Sequence, residues 1–126
     1  MKMILILLCL ITSALVAQEP KVTPLMSKDL KACPGKEAAM ITVEYAPGGA
    51  DVIHRHNAHA FVYVLEGKVV MQLQGREPLT LGPGQTFYEG PEDVHLVGRN
   101  ASNTQSAKFL VFFVKDKGAP ILIPAK

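Results

Sequence analysis

Glycine and proline interrupt this chain so often that helices of ordinary length do not fit between them. The sequence contains 10 Gly and 9 Pro, and beyond residue 37 they mark turns roughly every 8–12 residues, a spacing typical of β-sandwiches and barrels. No window of about ten residues combines a 3.6-residue apolar period with freedom from both residue types. A helical domain is therefore excluded, and a fold of short strands is predicted.

The segments between these turns have the composition of β-strands. Apolar and more polar residues alternate through residues 69–74, and the run FLVFFV from Phe109 to Val114 is the most hydrophobic segment of the chain beyond its first residues. The predicted strands cover residues 40–46, 52–56, 61–65, 69–74, 79–81, 86–89, 94–97 and 108–115. We predict an all-β domain, an antiparallel jelly-roll β-barrel, which protects its sheet edges by near closure.

The first residues have the layout of a secretory signal peptide. Lys2 is followed by the apolar run MILILLCLI, and small residues precede Gln18. An apolar core of about 7–15 residues before a small-residue cleavage site marks an exported protein, whereas a membrane-spanning helix needs about 20 apolar residues. We predict that residues 1–17 are a signal peptide cleaved after Ala17. The product would be secreted or periplasmic, with no stable membrane insertion. An uncleaved anchor and a buried N-terminal strand are the alternatives.

The remaining chain divides into an arm and one barrel domain. Residues 18–37 are polar and contain three prolines, so we predict an extended arm with a short helical turn at 27–30. Residues 38–126 form the predicted barrel domain. Cys33 precedes a Pro-Gly turn, and as the lone cysteine after cleavage it is expected to be a free thiol or to pair between chains.

The charge balance excludes a nucleic-acid partner. Lys+Arg total 13 against 11 Asp+Glu, the net charge is +2, and the chain has no Trp. A nucleic-acid site needs a basic stripe for phosphates or aromatic side chains for base stacking. We expect a small-molecule ligand or substrate instead.

The histidines are the most informative side chains for function. Three of the four, His54, His56 and His59, lie within six residues, and His95 follows several strands later. The two-residue step from His54 to His56 places both side chains on one face of a strand. Two imidazoles that project into a barrel are suited to bind one divalent metal. A His-x-His pair alone is more often structural than metal-binding, so the surrounding residues decide the interpretation.

The residues around the histidine pair resemble the first motif of the cupin family. That motif is a glycine, five residues, His-x-His, three or four residues, a glutamate, six residues and a glycine. The segment from Gly48 to Gly67 contains every element except the glutamate, whose position is Ala60. The resemblance implies a jelly-roll barrel with a metal at its centre.

A second segment resembles the second cupin motif. It runs from Gly84 to Asn100 and has His95 at the motif's histidine position, although Gly90-Pro91-Glu92 replaces Pro-x-Gly and the asparagine comes one residue late. Together the two segments span roughly residues 48–100. The chain thus resembles a small single-domain cupin of the secreted bacterial kind.

The resemblance also implies a set of metal ligands. Carried over residue by residue, His54, His56 and His95 bind a divalent ion (Fe, Mn, Zn or Ni), while Ala60 occupies the fourth position and offers no ligand. His59 is one residue out of phase and points outward in a regular strand, unless a bulge redirects it. We therefore expect three neutral histidines plus water. Such a centre keeps the full charge of the ion and an open position for an anionic or enolisable compound.

Three functions are compatible with such a centre. The first is a metal-dependent enzyme of the dioxygenase type, for which three-histidine cupins are the family precedent. The second is a module that binds a small ligand or a metal without turnover. The third is a structural metal in a barrel used for protein interaction. Because cupins have unrelated functions, the fold does not choose among them.

Other polar side chains could face the cavity. Glu89 and Tyr88 lie just before the turn of the second motif and are the candidate catalytic residues, as a general acid or base. The alternative is that the tyrosines belong to the core and that Glu89 belongs to a solvated acidic loop with Glu92 and Asp93. The full set of candidates is Tyr45, Tyr63, Gln72, Tyr88, Glu89 and Asn100.

A homodimer is also expected. The resemblance implies it, since small cupins commonly pair through sheets or exchanged strands. The apolar run from Phe109 to Val114 exceeds what one buried face of a sheet requires, and large apolar surfaces on soluble proteins usually contact a partner.

Overall fold

The chain folds into two five-stranded antiparallel sheets, as seen in a computed structural model that describes residues 17–126. The signal-peptide prediction for residues 1–17 therefore lies, apart from Ala17, outside the described residues. The strands are β1 Lys21–Asp29, β2 Lys36–Tyr45, β3 His54–Arg55, β4 Ala58–Glu66, β5 Val69–Leu73, β6 Leu79–Leu81, β7 Thr86–Glu89, β8 His95–Asn100, β9 Ala107–Asp116 and β10 Ile123–Pro124. The all-β jelly-roll prediction is confirmed. None of the described residues forms a helix long and apolar enough to cross a membrane.

The two sheets face each other across a mostly apolar interior. We call the sheet β1-β2-β9-β4-β7 the first sheet and β10-β3-β8-β5-β6 the second. Alternation along β2 and β9 turns every second residue inward, for example Ile41, Val43, Val111 and Phe113. This period of two is what the sequence pattern predicts for strands with one buried face. The metal-binding candidates lie in this interior.

The N-terminal arm is part of the first sheet. β1 pairs with β2 through most of its length, although all nine of its residues are exposed. The predicted helical turn at Ser27–Leu30 is wrong, because Ser27–Asp29 pair with Glu37–Ala39 of β2. Pro24 has no N–H to donate, and the register shifts between Pro24 and Met26, as expected for proline at an edge strand. Cys33 is exposed in the turn that follows.

The turn between β4 and β5 depends on Gly67. Its φ is +68°, and a Cβ at this position would lie 2.5 Å from the Ser106 carbonyl oxygen and 2.9 Å from the Ala107 Cα. Gly75, in the turn after β5, has a similar φ of +77° but nothing within 4 Å of such a Cβ. A comparison of substitutions at Gly67 and Gly75 therefore separates the effect of backbone conformation from that of a steric clash.

We expect Gly67→Ala to destabilise the protein much more than Gly75→Ala. The left-handed conformation alone costs an alanine about 1–2 kcal/mol, which is the loss expected at Gly75. A backbone clash adds to it at Gly67, for a total loss of about 3 kcal/mol or more in the free energy of unfolding. Urea denaturation of the two variants measures the difference. Equal losses would contradict the close approach of Ser106.

Candidate metal centre

Three histidines converge inside the barrel. His54 lies in β3, and His56 is the first residue after that strand. His95, in β8, is the register partner of His54. The three residues are buried, with relative exposures of 2%, 9% and 3%. The two-residue step aims both rings of the pair at the interior, and the β3–β8 pairing brings the third ring beside them. The structure thus unites the histidines that the sequence singled out.

Glu89 completes a group of four. One ligand atom from each of His54, His56, Glu89 and His95 can be chosen so that all lie within 4.8 Å of one another. Glu89 is 3% exposed and lies in β7 as the register partner of Ala60 in β4. A carboxylate of the neighbouring strand therefore lies opposite position 60, where the first motif has its glutamate. The sequence predicts three neutral histidines as the ligands, and the structure adds the Glu89 carboxylate to the group that could hold a metal.

The hydrogen bonds of two histidines fix which nitrogen faces the group. His54 Nδ1 lies 2.7 Å from the Val52 carbonyl oxygen, and His56 Nδ1 lies 2.5 Å from that of Ile121. A carbonyl only accepts, so each Nδ1 carries the proton and donates it. In the neutral rings, both Nε2 atoms then present lone pairs, and these atoms are only 3.2 Å apart. Metal-binding histidines are typically oriented by a bond of this kind from the other ring nitrogen.

Three other polar atoms of the group lack hydrogen-bond partners. Among the described residues, Glu89 Oε2 and both ring nitrogens of His95 are buried and have no hydrogen bond. Glu89 Oε2 lies 3.3 Å from His56 Nε2, and Glu89 Oε1 lies 3.3 Å from His95 Nδ1. Unpartnered buried polar atoms are costly. A cation bound among these nitrogen and oxygen atoms would satisfy them, so the residues fit a divalent metal.

The protonation equilibria of the group follow from burial and from its charges. Burial raises the pKa of Glu89, but the close contact with His56 and the charges of the nearby histidines outweigh it, so the net pKa is lowered. Burial likewise lowers the pKa of His56, but Glu89 outweighs it and the net pKa is raised. Burial dominates at His95, whose pKa is lowered. Without a metal, a proton on His56 therefore competes for the atoms that a metal would use.

The structure places the other candidate residues away from the group. Tyr88 is exposed on the opposite face of β7 from Glu89 and forms a 2.7 Å hydrogen bond with His59, which is also exposed. Tyr63 shares this outer face, and the Gln72 amide donates to the Arg76 carbonyl. Tyr88 thus does not line the cavity, and a general acid or base role there has no geometric support. Burial alternates regularly from Ala58 to Ala60 in β4, without a bulge, so the His59 side chain points outward.

Two further candidates are buried but do not join the group. Asn100 is held in place by hydrogen bonds from its amide nitrogen to the carbonyls of Tyr45, Ala46 and Gln105, and its amide oxygen accepts from the Ser102 N–H. This pattern fixes the loop beside the barrel. The Tyr45 hydroxyl donates to Asp51. Burial and the Asp51 charge raise the pKa of Tyr45, so it remains a neutral donor.

A cavity of about 190 Å³ adjoins the metal group. Besides the four group residues, its walls are formed by Asp51 and by apolar side chains of both sheets and of the C-terminal segment. These apolar residues are Val22, Ile41, Val43, Val62, Met71, Phe109, Val111, Phe113, Ile121 and Leu122. Asp51 and the C-terminal segment were not identified from the sequence. Neither stands in a pattern of histidines. The one sequence signal for Asp51 is that an acidic residue lies three positions before His54.

Comparison with known proteins identifies the family. The family model described as a cupin domain, Cupin_2, matches residues 41–113 of the chain. The chain is a cupin. No curated protein is similar enough in sequence to match this cupin.

Solved structures of other cupin-like proteins share the fold. A cupin 2 domain-containing protein from Halorhodospira halophila has a TM-score of 0.67 and 20% identity, covering 85% of this chain and 70% of that one. The DMSP lyase DddQ from Ruegeria pomeroyi DSS-3 has a TM-score of 0.62 and 22% identity, covering 70% and 43%. An oxalate oxidase in complex with the substrate analogue glycolate has a TM-score of 0.62 and 24% identity, covering 82% and 54%. This cupin thus spans about half the length of the two enzymes, and the likeness concerns the fold.

Proposed function

We propose that this cupin binds a divalent metal through His54, His56, Glu89 and His95 and takes a small metal-coordinating compound into its barrel for dioxygenase-type oxidation. The observation that carries the metal site is the convergence of buried, unpartnered nitrogen and oxygen atoms. The bound metal would act as a Lewis acid that holds the compound. If it is redox-active, it would also contact dioxygen. Fe, Mn, Zn and Ni all suit imidazole and carboxylate ligands.

The cavity favours a reactive centre over a structural metal. Closed structural sites are enclosed by four protein ligands and leave no access. Here the four residues border an open space lined mainly by apolar side chains. A metal that prefers six ligands would keep positions toward that space. The volume is below the about 300–1,000 Å³ typical of drug-sized ligands, so the compound is small.

Glu89 changes which compounds suit the site. With three neutral histidines, the ion would keep its whole charge and attract anions strongly. The carboxylate of Glu89 offsets one unit of that charge. We therefore infer that coordination by a chelating head group matters more than net negative charge in the compound.

The proposal is tested by metal analysis followed by turnover. The protein is purified without added metal, its metal content is measured, and portions stripped with a chelator are reloaded with Fe, Mn, Zn or Ni. Dioxygen uptake is then recorded with glycolate, small diketones and other small chelating compounds. Metal-dependent uptake supports the enzyme. Stoichiometric metal with ligand binding and no uptake supports the non-catalytic binding module, and absence of metal binding refutes the centre.

Acidification is expected to release the metal. Binding requires neutral imidazoles, and their ordinary pKa is about 6.5. The raised pKa of His56 strengthens proton competition, while the lowered pKa of His95 keeps that ring free to bind. Metal content after dialysis should be full near pH 7.5 and fall as the pH drops below about 6. Unchanged content at about pH 4.5 would contradict histidine ligation.

We further propose that the outer face of the first sheet forms a homodimer. Five apolar or aromatic residues lie in register across all five strands of this face: Met26, Met40, Phe112, Phe61 and Tyr88. Met26, Phe61 and Tyr88 are 60%, 48% and 46% exposed. A continuous apolar row of this kind is typical of an interface.

Light scattering at micromolar concentration tests the dimer. The unchanged protein should have twice the monomer mass. Phe61→Asp should give the monomer mass, because dimer formation would then bury a charge within the apolar row. Leu79→Asp is the control, since Leu79 is 50% exposed on the second sheet. A monomeric unchanged protein, or an equal effect of both substitutions, contradicts the proposal.

Export is the last part of the proposed function. The signal-like layout of residues 1–17 supports a secreted or periplasmic protein. When the full chain is expressed in a bacterial host, N-terminal sequencing of the exported protein should begin at Gln18. A chain that retains Met1 in the membrane fraction would contradict cleavage.

A further inference from the structure

Asp51 faces the cavity from outside the metal group. Asp51 is half-buried and contributes to the cavity wall, its backbone N–H donates to the Gly98 carbonyl at 2.7 Å, and its Oδ2 accepts from the Tyr45 hydroxyl. Tyr45 is fully buried, with 0% exposure. Asp51 is thus held through its backbone, and its Oδ2 through a buried side chain, while none of the hydrogen bonds among the described residues involves Oδ1.

Gly98 allows this carboxylate to approach the metal group. A Cβ on Gly98 would lie 2.8 Å from the Tyr45 hydroxyl oxygen, 3.1 Å from Asp51 Oδ2 and 3.1 Å from His95 Cε1. The three side chains therefore converge on the space that a larger residue would fill. The Asp51 carboxylate and the His95 ring are near neighbours across that point.

The charge of Asp51 has no positive protein partner in the cavity. The described lining residues include two carboxylates, Asp51 and Glu89, and no Lys or Arg. A bound metal offsets Glu89, which belongs to its ligand group, whereas Asp51 lies beyond that group. In a mostly apolar cavity, a second negative charge opposite Asp51 is repelled, and a positive or hydrogen-bond-donating group is attracted.

We propose that Asp51 determines the specificity of this cavity. The site accepts small molecules that coordinate the metal at one end and carry an ammonium or similar donor group at the other, and it rejects molecules whose second end is a carboxylate. Tyr45 is a positioning residue that occupies Oδ2 and directs Oδ1 to the ligand. The inference rests on the proposed function, because the head group requires the metal.

Three hydroxamates of nearly equal length provide the test. β-Alanine hydroxamate, butyrohydroxamate and succinate monohydroxamate share a metal-chelating head and differ in an ammonium, a methyl or a carboxylate at the other end. Their dissociation constants are measured by calorimetry on protein whose zinc content has first been verified. We expect the ammonium compound to bind at least about tenfold more tightly than the carboxylate compound, with the methyl compound between them.

Variants show whether Asp51 causes the difference. Asp51→Asn keeps an acceptor for Tyr45 and removes the charge, so the discrimination should fall to less than about threefold. Tyr45→Phe keeps the charge but removes the hydrogen bond that positions it, so the preference for ammonium should persist with a smaller difference in affinity. Asp116→Asn, on an exposed side chain, should change nothing. Thermal unfolding checks that each variant is folded.

The outcomes separate this inference from the proposed function. Failure to bind zinc refutes the metal centre and the inference with it. Zinc binding with equal affinities for the three compounds, or a preference that survives in Asp51→Asn, refutes the assignment of specificity to Asp51 and leaves the metal centre intact. Zinc binding with a preference lost only when the Asp51 charge is lost supports both.

Discussion

Replacing His95 with alanine is expected to lower metal affinity by more than about 100-fold, beyond the loss typical of changes to residues that only orient a ligand. His95 is buried, and both of its ring nitrogens lack hydrogen-bond partners among the described residues. Neither nitrogen is thus committed to a hydrogen bond that a metal would have to displace. His54→Ala should have a similar effect, because His54 Nε2 faces His56 Nε2 at 3.2 Å. Calorimetry with zinc or manganese measures both variants.

His59→Ala is the matched control for these substitutions. His59 is only a few residues from His56, but it is exposed and hydrogen-bonded to Tyr88 on the outer face. Its removal should leave the metal affinity unchanged within about threefold. Loss of the metal in this variant, or full retention in His95→Ala, would overturn the assignment of the centre.

The second large effect is expected from moving the carboxylate between strands. Glu89→Ala should weaken metal binding by about 100-fold, because it removes the only anionic member of the group. Ala60 is the register partner of Glu89 and is completely buried. Directly opposed residues on one face of an antiparallel pair have Cβ atoms about 4.5–5.5 Å apart. Adding Ala60→Glu to Glu89→Ala should therefore restore at least about tenfold of the lost affinity.

Two further variants make this test specific. Glu89→Ala with Ala60→Gln adds nearly the same volume without the charge, and it should restore little affinity. Ala60→Glu in the otherwise unchanged protein places two carboxylates opposite each other. It should therefore raise metal affinity by less than the same substitution does in the Glu89→Ala variant. If glutamate and glutamine at position 60 behave alike, position 60 and Glu89 do not serve the same ligand position.

The sequence by itself determined the class of fold and the histidines of the centre. Frequent turns and period-two alternation depend only on local backbone preferences, so strands were predictable from neighbouring residues. The spacing of His54 and His56 also acts locally, since residues two apart share a face of a strand. His95 was found through its place in a family motif, and β3–β8 pairing then set it opposite His54.

Strand boundaries show where local information ended. The predicted segment 52–56 contains only the two-residue strand β3, and β1 and β10 were not predicted as strands at all. β1 has no buried face that would impose an apolar pattern, and β10 is only two residues long. Both are strands because a partner strand supplies their backbone hydrogen bonds. Such pairing is a property of the whole fold.

Only the tertiary structure decided which carboxylates face the metal. Tyr88 and Glu89 were equal candidates as neighbours in sequence, but strand alternation places them on opposite faces, and the register of β7 with β4 puts Glu89 inside. Asp51 likewise reaches the cavity because Gly98, far along the chain, leaves room beside His95. Register and close approach join residues that are distant in sequence, and a one-residue shift would have reversed which side chain is inside.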